Sequence, residues 1–114
     1  MKTDSVYLRH IMDSIAKIES YATVRKEEFL TVCHWQDAII RNLEVIGEAT
    51  KRLGKPLKGQ YPEVPWRNVA GLRDVLIHDY MGVDLESVWN VVENDLPSLK
   101  LQIQVILDTF TYEG

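Results

Sequence analysis

Apolar residues recur along this chain at intervals of three and four rather than two. Val6, Leu8, Ile11, Met12, Ile15 and Ile18 form a stripe that predicts a first helix, with Asp4 or Ser5 as its N-cap. A longer run from about Thr23 to Leu53 predicts a second. Its apolar face carries Phe29, Val32, Cys33, Gln36, Ile39, Ile40, Leu43, Ile46, Gly47, Thr50 and Leu53. Lys51 and Arg52 in its last turn suit the negative end of the helix dipole, and Gly54 is a natural C′ residue. Ala38, Asn42, Val45 and Ala49 widen the apolar arc beyond the ~100° a surface helix needs. This predicts a central helix, buried in a monomeric bundle or set against a second subunit. Gly47 within the arc lets another backbone approach closely.

Gly54 to Pro65 reads as a loop, with two Gly and three Pro. Pro65 suits the first turn of a third helix carrying Trp66, Val69, Leu72, Leu76 and Ile77 and ending near His78. Gly82 marks a turn. Asp84 then caps a fourth helix with Leu85, Val88, Trp89 and Val92. Asp95 caps and Pro97 opens a fifth, with Leu99, Ile103, Ile106 and Leu107 as its face. Alternating strand patterns and hairpin turns are nearly absent. The expected fold is all-α: a single domain over residues 1–114, built as an antiparallel bundle of about five helices.

Composition narrows the class. At 114 residues and 46% hydrophobic, with three Trp and five Tyr, the chain can build one core and does not resemble a disordered tail. A single cysteine, Cys33, excludes an intramolecular disulfide framework or a cysteine-based zinc finger, and fits a reducing compartment. Apolar runs are too short to span a membrane, and the first twenty residues carry charges throughout, so a cytoplasmic location is expected. The net charge of −4 hides an asymmetry. Residues 1–50 hold six basic and eight acidic side chains, residues 51–73 six and one, and residues 74–114 one and eight. A basic island of Lys51, Arg52, Lys55, Lys58, Arg67 and Arg73 thus lies inside an acidic chain. It fits either a solvated loop or an anionic partner.

The island ends at Arg73-Asp74-Val75-Leu76-Ile77-His78-Asp79-Tyr80. Positions five apart diverge by about 140° on a regular helix, so Arg73 and His78 are not side-by-side neighbours. Either the long Arg73 side chain reaches round, or the helix ends at His78, or a second subunit completes the site across a two-fold axis. Asp74 and His78 are four apart and can touch, and a carboxylate beside a helix C-terminus favours the protonated imidazole. Arg73 keeps its charge and offers a planar fork to phosphate oxygens. A proton-transfer group beside a phosphate clamp is the minimum for cleaving RNA without a metal: His78 moves protons and Arg73 holds the charge that develops on phosphorus-bound oxygens. Taken singly, His78 equally suits dipole stabilisation, Arg73 an ion pair and Tyr80 a core aromatic.

Context separates these readings. Ala38-Ile39-Ile40-Arg41-Asn42-Leu43-Glu44-Val45-Ile46-Gly47-Glu48-Ala49, Pro65-Trp66, Gly71 to Tyr80 and Asp95-Leu96-Pro97 together resemble the HepT-like proteins of the HEPN (higher eukaryotes and prokaryotes nucleotide-binding) superfamily. The resemblance runs roughly from Phe29 to Leu107. It implies an all-helical, metal-independent endoribonuclease toxin, without cofactor, that works as a homodimer with both motifs lining one cleft. The family Arg and His fall on Arg73 and His78. Asp74 stands where a polar residue, commonly Asn, often follows the Arg, and it adds negative charge beside the phosphate. The family Tyr falls on Tyr80, where a cognate minimal nucleotidyltransferase antitoxin attaches AMP. A phosphodiester there would repel and occlude RNA. The acidic Asp74 leaves room for a second reading, a non-catalytic helical partner or specificity subunit of a separately encoded nucleotidyltransferase.

The remaining candidates are thinner. His10, His34 and His78 form no Glu-x-x-His or His-Glu-x-x-His pair, so no metal site is expected. His34 with Asp37 reads as a surface pair, Glu48 with Arg52 as an i,i+4 ion pair, and Cys33 as a small core residue. No glycine-rich phosphate loop is present.

Overall fold

The computed structural model describes the backbone of residues 2–23, 26–31, 33–78 and 85–113. The side chains at 2, 33, 73–78 and 111–113 lie outside the described set. The described residues are helical with short connections and contain no strand, as the periodicity predicts. Helix α1 spans Lys2–Tyr21, α2 Lys26–Thr31, α3 Cys33–Arg52, α4 Lys55–Gln60, α5 Trp66–His78, α6 Leu85–Asn90 and α7 Leu96–Glu113.

Helices α1 and α3 form the spine, with α5 laid along α3 and α7 along α1. Leu8, Ile11, Ile15 and Ile18 of α1 and Ile39, Leu43 and Ile46 of α3 are essentially inaccessible to solvent. Phe29, Ile103 and Ile106 close the same core from α2 and α7. Each such side chain contributes about 1.5–3 kcal/mol on burial, before conformational entropy is charged against it. The wide arc of α3 is therefore buried, and its polar members are satisfied locally. Thr50 Oγ1 donates to the Ile46 carbonyl at 2.8 Å, and Asn42 Nδ2 to the Ala38 carbonyl at 2.9 Å. Gln36 reaches back from α3 to donate to the Phe29 carbonyl on α2 at 2.9 Å.

The expected long second helix is described as α2 and α3, and Val32 between them lies outside the described residues. Three local expectations are corrected. Asp4 does not cap α1, whose helix begins at Lys2. It is buried in the first turn, and its Oδ1 accepts the Gly54 N–H at 3.0 Å. Gly54 is accordingly extended (φ −68°, ψ 149°) rather than left-handed. It precedes α4 as N-cap, and Pro56 fits the first turn of that helix, so the expected loop is partly helical.

The third correction concerns Asp95 and Pro97, expected to cap and open a separate helix. Instead α6 passes into α7 through a π-helical turn, Val91–Asp95, and the Leu96 N–H reaches the Val91 carbonyl five residues back. Pro97 supplies the reason. In an unbroken α-helix its ring would clash with the carbonyl four residues earlier, and a widened turn just before it relieves that clash while the axis continues. The expected turn and cap at Gly82 and Asp84 lie outside the described residues.

Candidate active site

Helix α5 is held at its beginning. Trp66 is nearly buried, and its indole N–H is shared between the Tyr61 carbonyl at 2.9 Å and the Lys58 carbonyl at 3.2 Å. The Pro65 carbonyl accepts the Val69 N–H at 3.0 Å, starting the helical ladder. Trp66 and Val69 face the core, whereas Arg67 and Asn68 are exposed. The α3–α5 packing and this double hydrogen bond fix the axis along which the motif lies.

Arg73, Asp74 and His78 all belong to α5, with His78 its last residue. Their backbone positions share one rigid element, but their side chains are outside the described set, as is the whole of Tyr80. With the helix regular as far as His78, the Arg73 and His78 positions diverge by about 140°. A site using both still needs the reach of the long arginine or the same residues from a second copy.

The basic island surrounds the start of this helix. Lys51 and Arg52 are exposed at the end of α3, Lys55 is exposed and Lys58 half-buried on α4, and Arg67 is exposed in the first turn of α5. Arg52 Nε meets Glu48 Oε1 at 3.4 Å, the expected i,i+4 pair. Lys55, Lys58 and Arg67 have no acidic partner among the described residues. Acidic charge collects elsewhere, with Glu86, Glu93, Asp95 and Asp108 exposed on the α6–α7 arm. There Lys26 bonds Glu86 at 2.9 Å, and that hydrogen bond and charge raise the Lys26 pKa above its usual 10.5. Lys100 bonds Glu19 at 2.9 Å, tying α7 to α1.

His34 does not pair with Asp37. Its ring lies against Trp35, centroids 4.9 Å apart, and His10 meets Tyr7 edge-on at 6.2 Å. Among the described residues no three His, Cys, Asp or Glu side chains come together as a metal site, and no helix is long and apolar enough to cross a membrane.

A cavity of about 300 Å³ opens beside the first half of α5, between it and the π-helical turn. Of its polar rim, Asn68 and Ser98 are not among the residues that sequence spacing singles out, and Asp95 is singled out there only as a helix cap. These residues come from distant segments, and the one local signal is a polar Asn68 among the apolar positions opening α5.

An all-helical bundle with an arginine and a histidine on one helix, beside a basic corner, defines a class suited to phosphate chemistry. The chain belongs to the HepT-like family: residues 11–106 match the family model described as "Ribonuclease HepT-like". A Thermococcus cleftensis protein named "Probable ribonuclease HepT" is 45% identical over 95 residues, covering 82% of this chain and 86% of that protein. A "Putative RNase" of Caldanaerobacter subterraneus is 38% identical over 108 residues, 94% of this chain and 96% of that one. A Methanocaldococcus jannaschii protein named "Gamma-glutamylcyclotransferase and putative RNase" is 44% identical over 108 residues. The chain spans about half the length of that relative, 49%, and 94% of its own. No solved structure matches the chain.

Proposed function

We propose that this chain is an endoribonuclease that cleaves RNA without a metal, using Arg73 and His78. The observation that carries the reading is the 38–45% identity to relatives named as ribonucleases over most of the chain, joined to the location of both residues on α5. The ribose 2′-oxygen attacks the adjacent phosphorus, the bond to the 5′-oxygen breaks, and a 2′,3′-cyclic phosphate and a free 5′-hydroxyl result. His78 takes the 2′-hydroxyl proton, delivers one to the leaving oxygen, or serves as a cation beside the phosphate. Arg73 neutralises the phosphoryl oxygens as charge builds on them. Exposed Lys55 and Arg67, with Lys58, offer unpaired positive charge to neighbouring phosphates.

In this reading the chain is the toxin of a HEPN–nucleotidyltransferase toxin–antitoxin pair and acts in the cytoplasm as a homodimer, two copies of α5 facing one cleft. Tyr80 is the AMP acceptor through which a nucleotidyltransferase silences it. The decisive experiment is cleavage of a mixed RNA in EDTA by the wild type, Arg73→Ala and His78→Ala. Cutting by the wild type and a loss of about 10²–10⁴-fold in His78→Ala support the reading; an inert wild type overturns it. Regulation is tested with the adjacent nucleotidyltransferase and ATP. Mass equal to one or more AMP should appear on the wild type and not on Tyr80→Phe, and an unmodified wild type removes that part of the proposal. A strict monomer by light scattering removes the shared cleft.

A further inference from the structure

We propose that the cavity between α5 and the π-helical turn is a guanine-binding subsite, which receives the base of a nucleotide flanking the cleaved phosphate. The inference rests on the ribonuclease reading for its substrate. The cavity, about 300 Å³, stands at the small end of ligand pockets. Leu72, Val91 and Leu99 give it an apolar floor against which a flat base can lie, and Asn68, Asp95 and Ser98 stand on its exposed rim.

The hydrogen-bonding inventory selects the base. Two other polar groups at the cavity are already engaged: Asn94 Nδ2 donates to Asn90 Oδ1 at 2.6 Å, and Gln102 Nε2 to the Glu63 carbonyl at 3.4 Å. Asn68, Asp95 and Ser98 have no hydrogen-bond or ionic partner among the described residues. An ionised carboxylate accepts only, and its two oxygens suit two adjacent donors. Guanine presents N1–H and N2–H side by side and a carbonyl oxygen next to them, which a side-chain amide can reach as donor. Uracil has one such N–H flanked by two acceptors, and a carboxylate set against it faces an oxygen. Single-stranded RNA is commonly read in this way, through splayed bases whose Watson–Crick edges meet side chains.

Position supplies the rest. Asn68 precedes Arg73 by five residues, about 7.5 Å along the axis of α5 and about 140° around it, so the long Arg73 side chain or the RNA strand itself must reach round the helix to join the two. A base seated here belongs to a nucleotide next to the one whose phosphate Arg73 holds. The π-helical turn contributes Val91 and Asp95, so the detour that Pro97 imposes on the helix also builds the opposite wall.

Two measurements test the subsite. Cleavage of a random-sequence RNA pool should show guanosine enriched at one fixed position beside the cut. Asp95→Asn and Asn68→Ala, both surface substitutions, should continue to cut while the ratio of the cleavage rate with guanosine at that position to the rate with another base falls by about 5- to 150-fold, the range for removing one good bidentate pairing to a base. A wild type that cuts without base preference, or variants that keep the same preference, overturns the proposal. The second measurement needs no cleavage. Two 2′-O-methyl pentanucleotides, UUGUU and UUUUU, are titrated while the Asn68 side-chain amide is followed by NMR. UUGUU alone should shift it, replacing its guanine by hypoxanthine should weaken the response, and Asp95→Asn should abolish the difference. Equal responses to both oligonucleotides, or none, sink the subsite whatever the enzyme does. An inert wild type that still distinguishes UUGUU removes the ribonuclease reading and leaves the subsite standing.

Discussion

Helices α3 and α5 lie side by side, yet they use their residues differently. Along α3, Ile39, Leu43 and Ile46 are almost wholly buried, and even its polar Thr50 and Asn42 are turned inward and satisfied by its own carbonyls. Along the first half of α5 only Trp66 and Val69 are buried, and Arg67 and Asn68 face solvent. One helix supplies stability and the other is positioned by it. Chemistry can therefore change on α5 at little cost to folding, whereas α3 tolerates almost no substitution on its wide face.

The largest expected effect tests the α3 half of this contrast. Ile46→Ala should cost about 2–5 kcal/mol in denaturant unfolding, because truncating a fully buried side chain leaves a cavity between α1 and α3. Arg67→Ala and Asn68→Ala on α5 should stay within about 0.5 kcal/mol of the wild type. Equal losses on the two helices would abolish the distinction.

A smaller effect concerns the joint that sets α4, and through it the start of α5. Asp4→Ala removes the acceptor of the Gly54 N–H and should cost about 1–3 kcal/mol. If the carboxylate only positions the joint, the effect will show as faster hydrogen exchange around Gly54 and Lys58 before global unfolding. An unchanged midpoint would mean that the carboxylate is replaced there by water.

The basic corner should move binding rather than stability. Replacing Lys55, Lys58 or Arg67 with Ala should lower the slope of log affinity against log salt by about 0.7 for each RNA phosphate left without its cation. The thermal midpoint should barely move. A slope unchanged in all three variants would take the corner out of the RNA path.

Much of the fold is legible in the sequence because three-and-four spacing directly reports which face is buried. The stripe of α1 from Leu8 to Ile18, the arc of α3 and the Glu48–Arg52 pair appear where the pattern puts them, whereas Val6, expected in the same stripe, is exposed. What escapes it depends on residues far apart in the chain. Asp4 reads as a cap, since Asp at a helix start usually is one, but its partner lies fifty residues away at Gly54. Asp95-Leu96-Pro97 reads as a helix opening, since Pro favours the first turn; packing of Trp89, Val92, Leu96 and Leu99 carries the helix through instead, at the cost of a π turn. The Arg73–His78 motif is conspicuous as a string, and α5 carries both positions. No local pattern brings Asn68 and Asp95 to one cavity.

The smallest effect belongs to the acidic arm, where Lys26 on α2 meets Glu86 on α6. The hydrogen bond to Glu86, then its charge, raises the Lys26 pKa above 10.5, so the folded state holds this proton more tightly than the unfolded chain. Its contribution is therefore fully present below about pH 10.5 and is lost as pH rises through the folded-state value. Lys26→Met should lower the thermal midpoint slightly at neutral pH, and the gap from the wild type should close only in strongly alkaline buffer. Both side chains are largely exposed, so salt should shrink the same gap. A gap that persists at high pH and high salt would show that Lys26 acts through its aliphatic stem. The junction of α2 and α6 would then belong with the packed spine rather than with the adaptable surface around α5.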